Sequence, residues 1–143
     1  MRTIASILRS KPDQKVHTVA PSATMREALE TMARHDIGAL LVLDGDRLTG
    51  MFSERDYARK VILLGRSSRT MPVSDIMTRD VVAVPPCLSV DEGMALMTDH
   101  RVRHLPVVEG GEIVGLVSIG DLVKAQIDEQ RFVIEQLEHY IAH

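Results

Sequence analysis

The chain has 143 residues, 45% of them apolar and 26% charged, about one domain's length and enough to bury roughly 68–70% of its unfolded surface. Its net charge of −3 provides no global attraction to nucleic acid or anionic lipid. The single cysteine, Cys87, excludes an intrachain disulfide and fits a reducing, cytoplasmic compartment. With no tryptophan and 3% aromatics, the core must be aliphatic, supplemented by eight methionines.

The opening "MRTIASILRSKPD" is too short and too polar for a signal peptide, and no apolar run approaches the ~18 residues of a membrane span. "VHTVAP", from Val16, reads as a short strand stopped by proline. Thr24 and Glu27 have capping-box spacing and open a helix in which Met25, Ala28, Leu29, Met32, Ala33 and Ile37 follow helical periodicity. "ALLVLDGDRLTGMF" is two apolar runs around Asp44-Gly45, a hairpin signal. It leads into "GMFSERDYARK", where Ser53 stands at a strand's end and Asp56 in the first turn of the next helix. "LLGRSSRTMPVSDIMT" then reads as a linker ending in a short helix.

From Val81 the pattern starts again. A shift of 65 residues aligns 16–56 with 81–121 without a gap and with twelve identities, among them Glu27/Glu92, His35/His100, Gly50/Gly115, Ser53/Ser118 and Asp56/Asp121. "DVVAVPP" is the second opening strand, and Ser89 with Glu92 is the second capping box. Gly110-Gly111 is the second hairpin turn, and "GLVSIGDLVKA" the second Ser-x-x-Asp. Matches at strand, helix and turn positions alike indicate duplication of a β-α-β-β-α unit. After the second copy one helix runs from Asp121 nearly to the C-terminus. Its Val123, Ile127, Ile134, Leu137 and Ile141 form a seam of 3-4 spacing interrupted by Gln130, suited to its own domain or to a second subunit.

The tandem units, the "RVRHLPVV" strand and the paired "GMFSERD" and "GLVSIGD" resemble a pair of cystathionine-β-synthase (CBS) domains, a Bateman module, of the stand-alone bacterial two-domain kind. The resemblance covers about residues 4–130. It implies an α/β (α+β) fold of two repeats, 1–70 with an N-terminal helix and 71–143 with the C-terminal helix, packed with pseudo-two-fold symmetry. It also implies an adenine nucleotide in clefts between the repeats: AMP first, then NAD(H), ADP, ATP or S-adenosylmethionine, with no metal required. Members of the family regulate partners or sense energy state, are typically not catalysts, and commonly form dimers.

In the family the matching Asp holds ribose and the matching Ser or Thr reaches phosphate, roles that fall here on Asp56 and Asp121, and on Ser53 and Ser118. The chemistry suits them, because an ionised carboxylate accepts from both ribose hydroxyls and unpaired N–H groups at a helix start favour an anion. The same pairs also suit plain helix caps. Around the first lie Arg55, Arg59 and Lys60, followed by Arg66 and Arg69. Around the second lie Ile119 and Gly120, with Arg103 and His104 on the middle strand where the first copy has Gly38 and Ala39. The resemblance places adenine between His17–Thr18 or Val82–Ala83 and the middle strand, Ala39, Leu40 and Leu41 or His104, Leu105 and Pro106.

Catalysis has little support. No His-x-x-x-His, Cys-x-x-Cys or acidic metal cluster is present, and there is no Gly-x-Gly-x-x-Gly. His35 and His100 end helices, where the dipole favours an imidazolium. The reading is a cytoplasmic nucleotide sensor, homodimeric, that signals by conformational change to an unidentified partner. The alternative is a structural dimerisation module without ligand.

Overall fold

The computed structural model describes residues 2–12, 15–63, 65 and 70–142; Arg66, Arg69 and His143 lie outside them. In chain order the elements are α1 (Ile4–Ser10), β1 (Thr18–Val19), α2 (Met25–His35), β2 (Ala39–Asp44) and β3 (Arg47–Ser53). A short α3 (Glu54–Asp56) follows, continued by a π-helical stretch (Tyr57–Ile62), then a 3-10 turn (Val73–Asp75). The second half comprises α4 (Val90–His100), β4 (His104–Glu109), β5 (Glu112–Ser118) and α5 (Ile119–Ala142).

These pack as two units, one of residues 16–81 and the other of residues 1–15 with 82–143. The packing therefore differs from a division into 1–70 and 71–143, and hydrogen bonds show why. The Val73 N–H donates to Ala23 O (2.8 Å) and the Ser74 N–H to Pro21 O (3.1 Å). In the other unit the Ile4 N–H donates to Leu88 O (2.8 Å) and the Ala5 N–H to Pro86 O (2.9 Å). Residues 23 and 88, and 21 and 86, are repeat partners. The segment preceding each copy thus fills the same place on the other copy, with Ile4 standing where Val73 stands.

Each unit has its own core. One is built on Met25, Met32, Leu40, Val42 and Phe52 with Val73, Ile76 and Met77. The other is built on Val90, Met97, Leu105, Val107 and Val117 with Ile4 and Ile7. α2 and α4 start as their sequences dictate. Thr24 Oγ1 accepts from the Glu27 N–H (3.1 Å), and Ser89 with Glu92 forms a complete capping box. Both helices end on a left-handed residue that is not glycine, Asp36 (φ 52°) and Arg101 (φ 54°), 65 residues apart. The hairpins β2–β3 and β4–β5 turn on Gly45 and on Gly110–Gly111, all at positive φ. Both carry an irregularity at the same place, between Val42 and Leu43 and between Val107 and Val108.

The opening strands fall short of expectation. β1 is two residues long, parallel to β2 through Thr18–Leu41 and Val19–Val42. In the second copy the expected strand over 81–86 shrinks to one parallel bridge, Val84 to Val107. Pro106 stands where Leu41 stands in the first copy and has no N–H to extend the ladder, while Pro85 and Pro86 stop the incoming chain.

The exchanged segments also explain the first residue of each Gly-φ-φ-Ser-x-x-Asp. A Cβ on Gly50 would lie 2.6 Å from Met77 Sδ and 2.8 Å from the Thr78 carbonyl oxygen. A Cβ on Gly115 would lie 2.5 Å from Leu8 Cδ2. Gly50 faces backbone as well as side chain, whereas Gly115 faces only the flexible end of a leucine. Gly50→Ala is therefore expected to lower stability by about 1–3 kcal/mol and Gly115→Ala by less, as measured by urea unfolding. Equal losses would contradict this packing.

Candidate functional site

Both Ser-x-x-Asp elements sit where a hairpin's second strand turns into a helix, but their carboxylates are engaged differently. In the first copy the Ser53 N–H donates to Asp56 Oδ2 (3.0 Å), and the Asp56 N–H donates to Ser53 Oγ (3.1 Å), closing a capping box. Ser53 Oγ is also 3.1 Å from Asp56 Oδ2. Asp56 Oδ1 accepts from Thr78 Oγ1 (3.1 Å) and is paired with Lys60 Nζ (3.2 Å). Lys60 in turn donates to Ile76 O (2.9 Å). Both oxygens are occupied, and the Asp56 side chain is 13% exposed.

In the second copy the same box forms, from the Ser118 N–H to Asp121 Oδ2 (2.9 Å) and from the Asp121 N–H to Ser118 Oγ (3.1 Å). Lys11 Nζ also reaches Asp121 Oδ2 (3.0 Å) and donates to Leu116 O (2.9 Å). Among the described residues nothing bonds Asp121 Oδ1, and the side chain is 25% exposed. This carboxylate has an oxygen to offer. It lies in the first turn of α5, where the helix's free N–H groups and dipole favour negative charge.

The other expected residues divide by burial. Leu40, Leu41 and Leu105 are fully buried and Leu40 and Leu105 belong to the cores, so only backbone atoms there can meet a ligand. Pro106, next to Leu105, is buried, and Ala39 is 1% exposed. Thr18 is tied by β1 to Leu41, and the His17 ring stacks on His35 with centroids 3.8 Å apart. Val82 packs against its core, and Ala83 adjoins Val84, which bridges to β4. Arg59 is exposed on the π-helical stretch, while Arg55 and Lys60 are half-buried. Ile119 and Gly120 form the first turn of α5, and the Ile119 N–H donates to Arg103 O (2.8 Å). The corresponding bond in the first copy runs from the Glu54 N–H to Gly38 O (3.1 Å).

Two residues of this geometry, Thr78 and Lys11, have no signal in the repeat, because both lie outside the aligned blocks 16–56 and 81–121 and arrive through the exchanged segments. Among the described residues no group of histidine, cysteine and carboxylate side chains could hold a metal. No helix there is long and apolar enough to cross a membrane.

The fold has relatives among known proteins. The family model described as the CBS domain matches residues 4–62 and 73–128. A mitochondrial CBS domain-containing protein of Arabidopsis thaliana, CBSX3, is 39% identical over 97% of this chain and 71% of its own length. YhcV, a CBS domain-containing protein of Bacillus subtilis, is 36% identical over 81% of this chain and 82% of its own. Among solved structures, a protein with CBS domains from Burkholderia ambifaria superposes with a TM-score of 0.87 at 53% identity, covering 90% of this chain and 96% of that one.

His104, at the start of β4, reports on the second site electrostatically. Burial holds its imidazole below the ordinary value near 6.5; Asp121 opposes this, and Lys11 and Arg103 reinforce it. The unfolded chain therefore takes up this proton first as pH falls, so His104 contributes stability above about pH 6.5 that is lost on acidification below it. Relative to the parent, His104→Gln is expected to lose less stability between pH 7 and pH 5, read from urea midpoints. A parallel pH dependence for the two proteins would contradict this assignment.

Proposed function

This chain belongs to the CBS domain family, and we propose that it is a sensor that binds an adenine nucleotide at its Ser-x-x-Asp elements. CBS-domain proteins are generally regulatory modules that bind adenosine ligands. The observation that carries the reading here is the Asp121 carboxylate, oriented by the Ser118 N–H, with Oδ1 bonded by none of the described residues. An ionised carboxylate so placed accepts from ribose hydroxyls. Ser118 and the first turn of α5 then lie toward the phosphate, and the backbones of β4 and the 82–83 segment toward the base. AMP is the ligand proposed first, with NAD(H), ADP, ATP and S-adenosylmethionine as alternatives. The first copy binds the same way only after Thr78 and Lys60 release Asp56. Binding changes the protein's conformation and thereby its contact with a regulated partner. Its role is regulatory, without catalysis, in the cytoplasm.

At a free concentration 100 times Kd, a ligand adds about 2.7 kcal/mol of stability, which for a chain of this size raises the melting midpoint by roughly 5–10 °C. AMP is expected to produce such a shift in the parent and in Asp56→Asn, and to lose it in Asp121→Asn. No shift with any of the six ligands (AMP, ADP, ATP, NAD, NADH and S-adenosylmethionine) would leave both elements as helix caps.

The second half of α5 supports the homodimer. Only Leu122 and Ala125 of its 24 residues are buried. Ile127, Ile134, Leu137 and Ile141 are exposed along one seam, with Val133 and Tyr140 beside it. Isoleucine and leucine at 3-4 spacing suit a helix of the same kind on a second copy. Ile134→Glu with Leu137→Glu is expected to convert a dimer to a monomer by light scattering while leaving AMP binding in place. An unchanged mass would place the dimer contact elsewhere.

A further inference from the structure

The second copy's site has a member that its own repeat does not encode. Lys11 follows directly on α1 and is carried to β5 and α5 by the seating of Ile4 and Ile7 in the core and of Leu8 on Gly115. There its ammonium donates to Asp121 Oδ2 (3.0 Å) and to Leu116 O (2.9 Å). An ammonium has three donors, of which the described residues use two, on a side chain 30% exposed. His104 opens the adjoining strand β4 and Arg103 directly precedes it, and the charges of Lys11, Arg103 and Asp121 all act on the His104 imidazole. The second site therefore sets one ammonium against one carboxylate, with the His104 imidazole within reach of both charges.

The first copy is built otherwise. Its exchanged segment brings the neutral Thr78 hydroxyl to Asp56. Gly38 and Ala39 replace Arg103 and His104, and its cation, Lys60, comes from the helical stretch that follows Asp56 and is turned onto Ile76 O.

Resting on the nucleotide reading above, we propose that Lys11 is the charge-selecting residue of the second site, favouring phosphate-bearing ligands over the bare nucleoside. Lys11 offsets the Asp121 charge, which would otherwise repel phosphate, and presents its third N–H to a phosphate oxygen. The same ammonium occupies an Asp121 oxygen that a ribose hydroxyl could use. Removing it therefore acts in opposite directions on the two ligand types. A phosphate-bearing ligand loses an attraction and meets an unshielded carboxylate, while an uncharged nucleoside gains a free acceptor.

Titration calorimetry of adenosine, AMP and ATP against the parent, Lys11→Met and Lys11→Arg tests this, with ligand-free melting as the folding control. Lys11→Met is expected to bind ATP and AMP about tenfold more weakly or worse, and adenosine as well as the parent or better. Lys11→Arg should keep the parent's order, and the ATP affinity of Lys11→Met should fall less steeply with salt. If adenosine and ATP weaken together, Lys11 is a structural residue and the proposal is overturned, as it is if neither changes. If the parent binds none of the three, or Asp121→Asn binds them as the parent does, the nucleotide reading itself fails and the proposal falls with it.

Discussion

Both units depend on one close approach, the seating of a segment from outside the repeat against a glycine of the hairpin. Leu8 lies on Gly115, and Met77 with the Thr78 backbone lies on Gly50, at separations that leave no room for a methyl group. The same segments insert Ile4 and Ile7, or Val73 and Ile76, into the aliphatic cores. With so few aromatic side chains, the cores are assembled from many small aliphatic contributions. Burial of each exchanged side chain is worth about 1.5–3 kcal/mol, so neither hairpin with its helix is complete without the borrowed piece.

This exchange also decides what happens at the two carboxylates. Each segment continues past its apolar anchors to place a donor on the aspartate of the Ser-x-x-Asp: the Thr78 hydroxyl on Asp56, and the Lys11 ammonium on Asp121. Duplication made the two elements alike, and the segments made them different. Asp56 is saturated by Ser53, Thr78 and Lys60, whereas one Asp121 oxygen is bonded by none of the described residues and the other meets the Lys11 ammonium. In the proposed reading, capping and binding are successive uses of one carboxylate, since the Ser118 N–H that holds Asp121 at the helix start would also orient it for a ligand.

Much of this was legible in the sequence because duplication repeats its own signals. The Gly45 and Gly110-Gly111 turns, the Thr24 and Ser89 caps and the Ser-x-x-Asp elements each appear twice, and all form where their chemistry places them. The exchange was not legible, because Leu8 and Met77 are ordinary apolar residues of short segments and nothing local says which copy they serve. The left-handed caps at Asp36 and Arg101 lacked the glycine that usually marks such a position. The opening strands were overread: "DVVAVPP" has strand-forming residues, but the missing N–H lies across the ladder on Pro106, where a local reading does not look. Alternation along β2 and β4 sends the Leu40 and Leu105 side chains into the cores.

The central claim is that Asp121 exchanges an open oxygen for ribose hydroxyls while its helix-start bonds persist. A crystal structure grown with AMP tests it most directly. The account predicts the ribose 2′- and 3′-hydroxyls within about 2.5–3.0 Å of the Asp121 carboxylate, with the Ser118 N–H still donating to it. AMP bound with its ribose away from Asp121, or Asp121 unchanged beside an occupied site elsewhere, would contradict it.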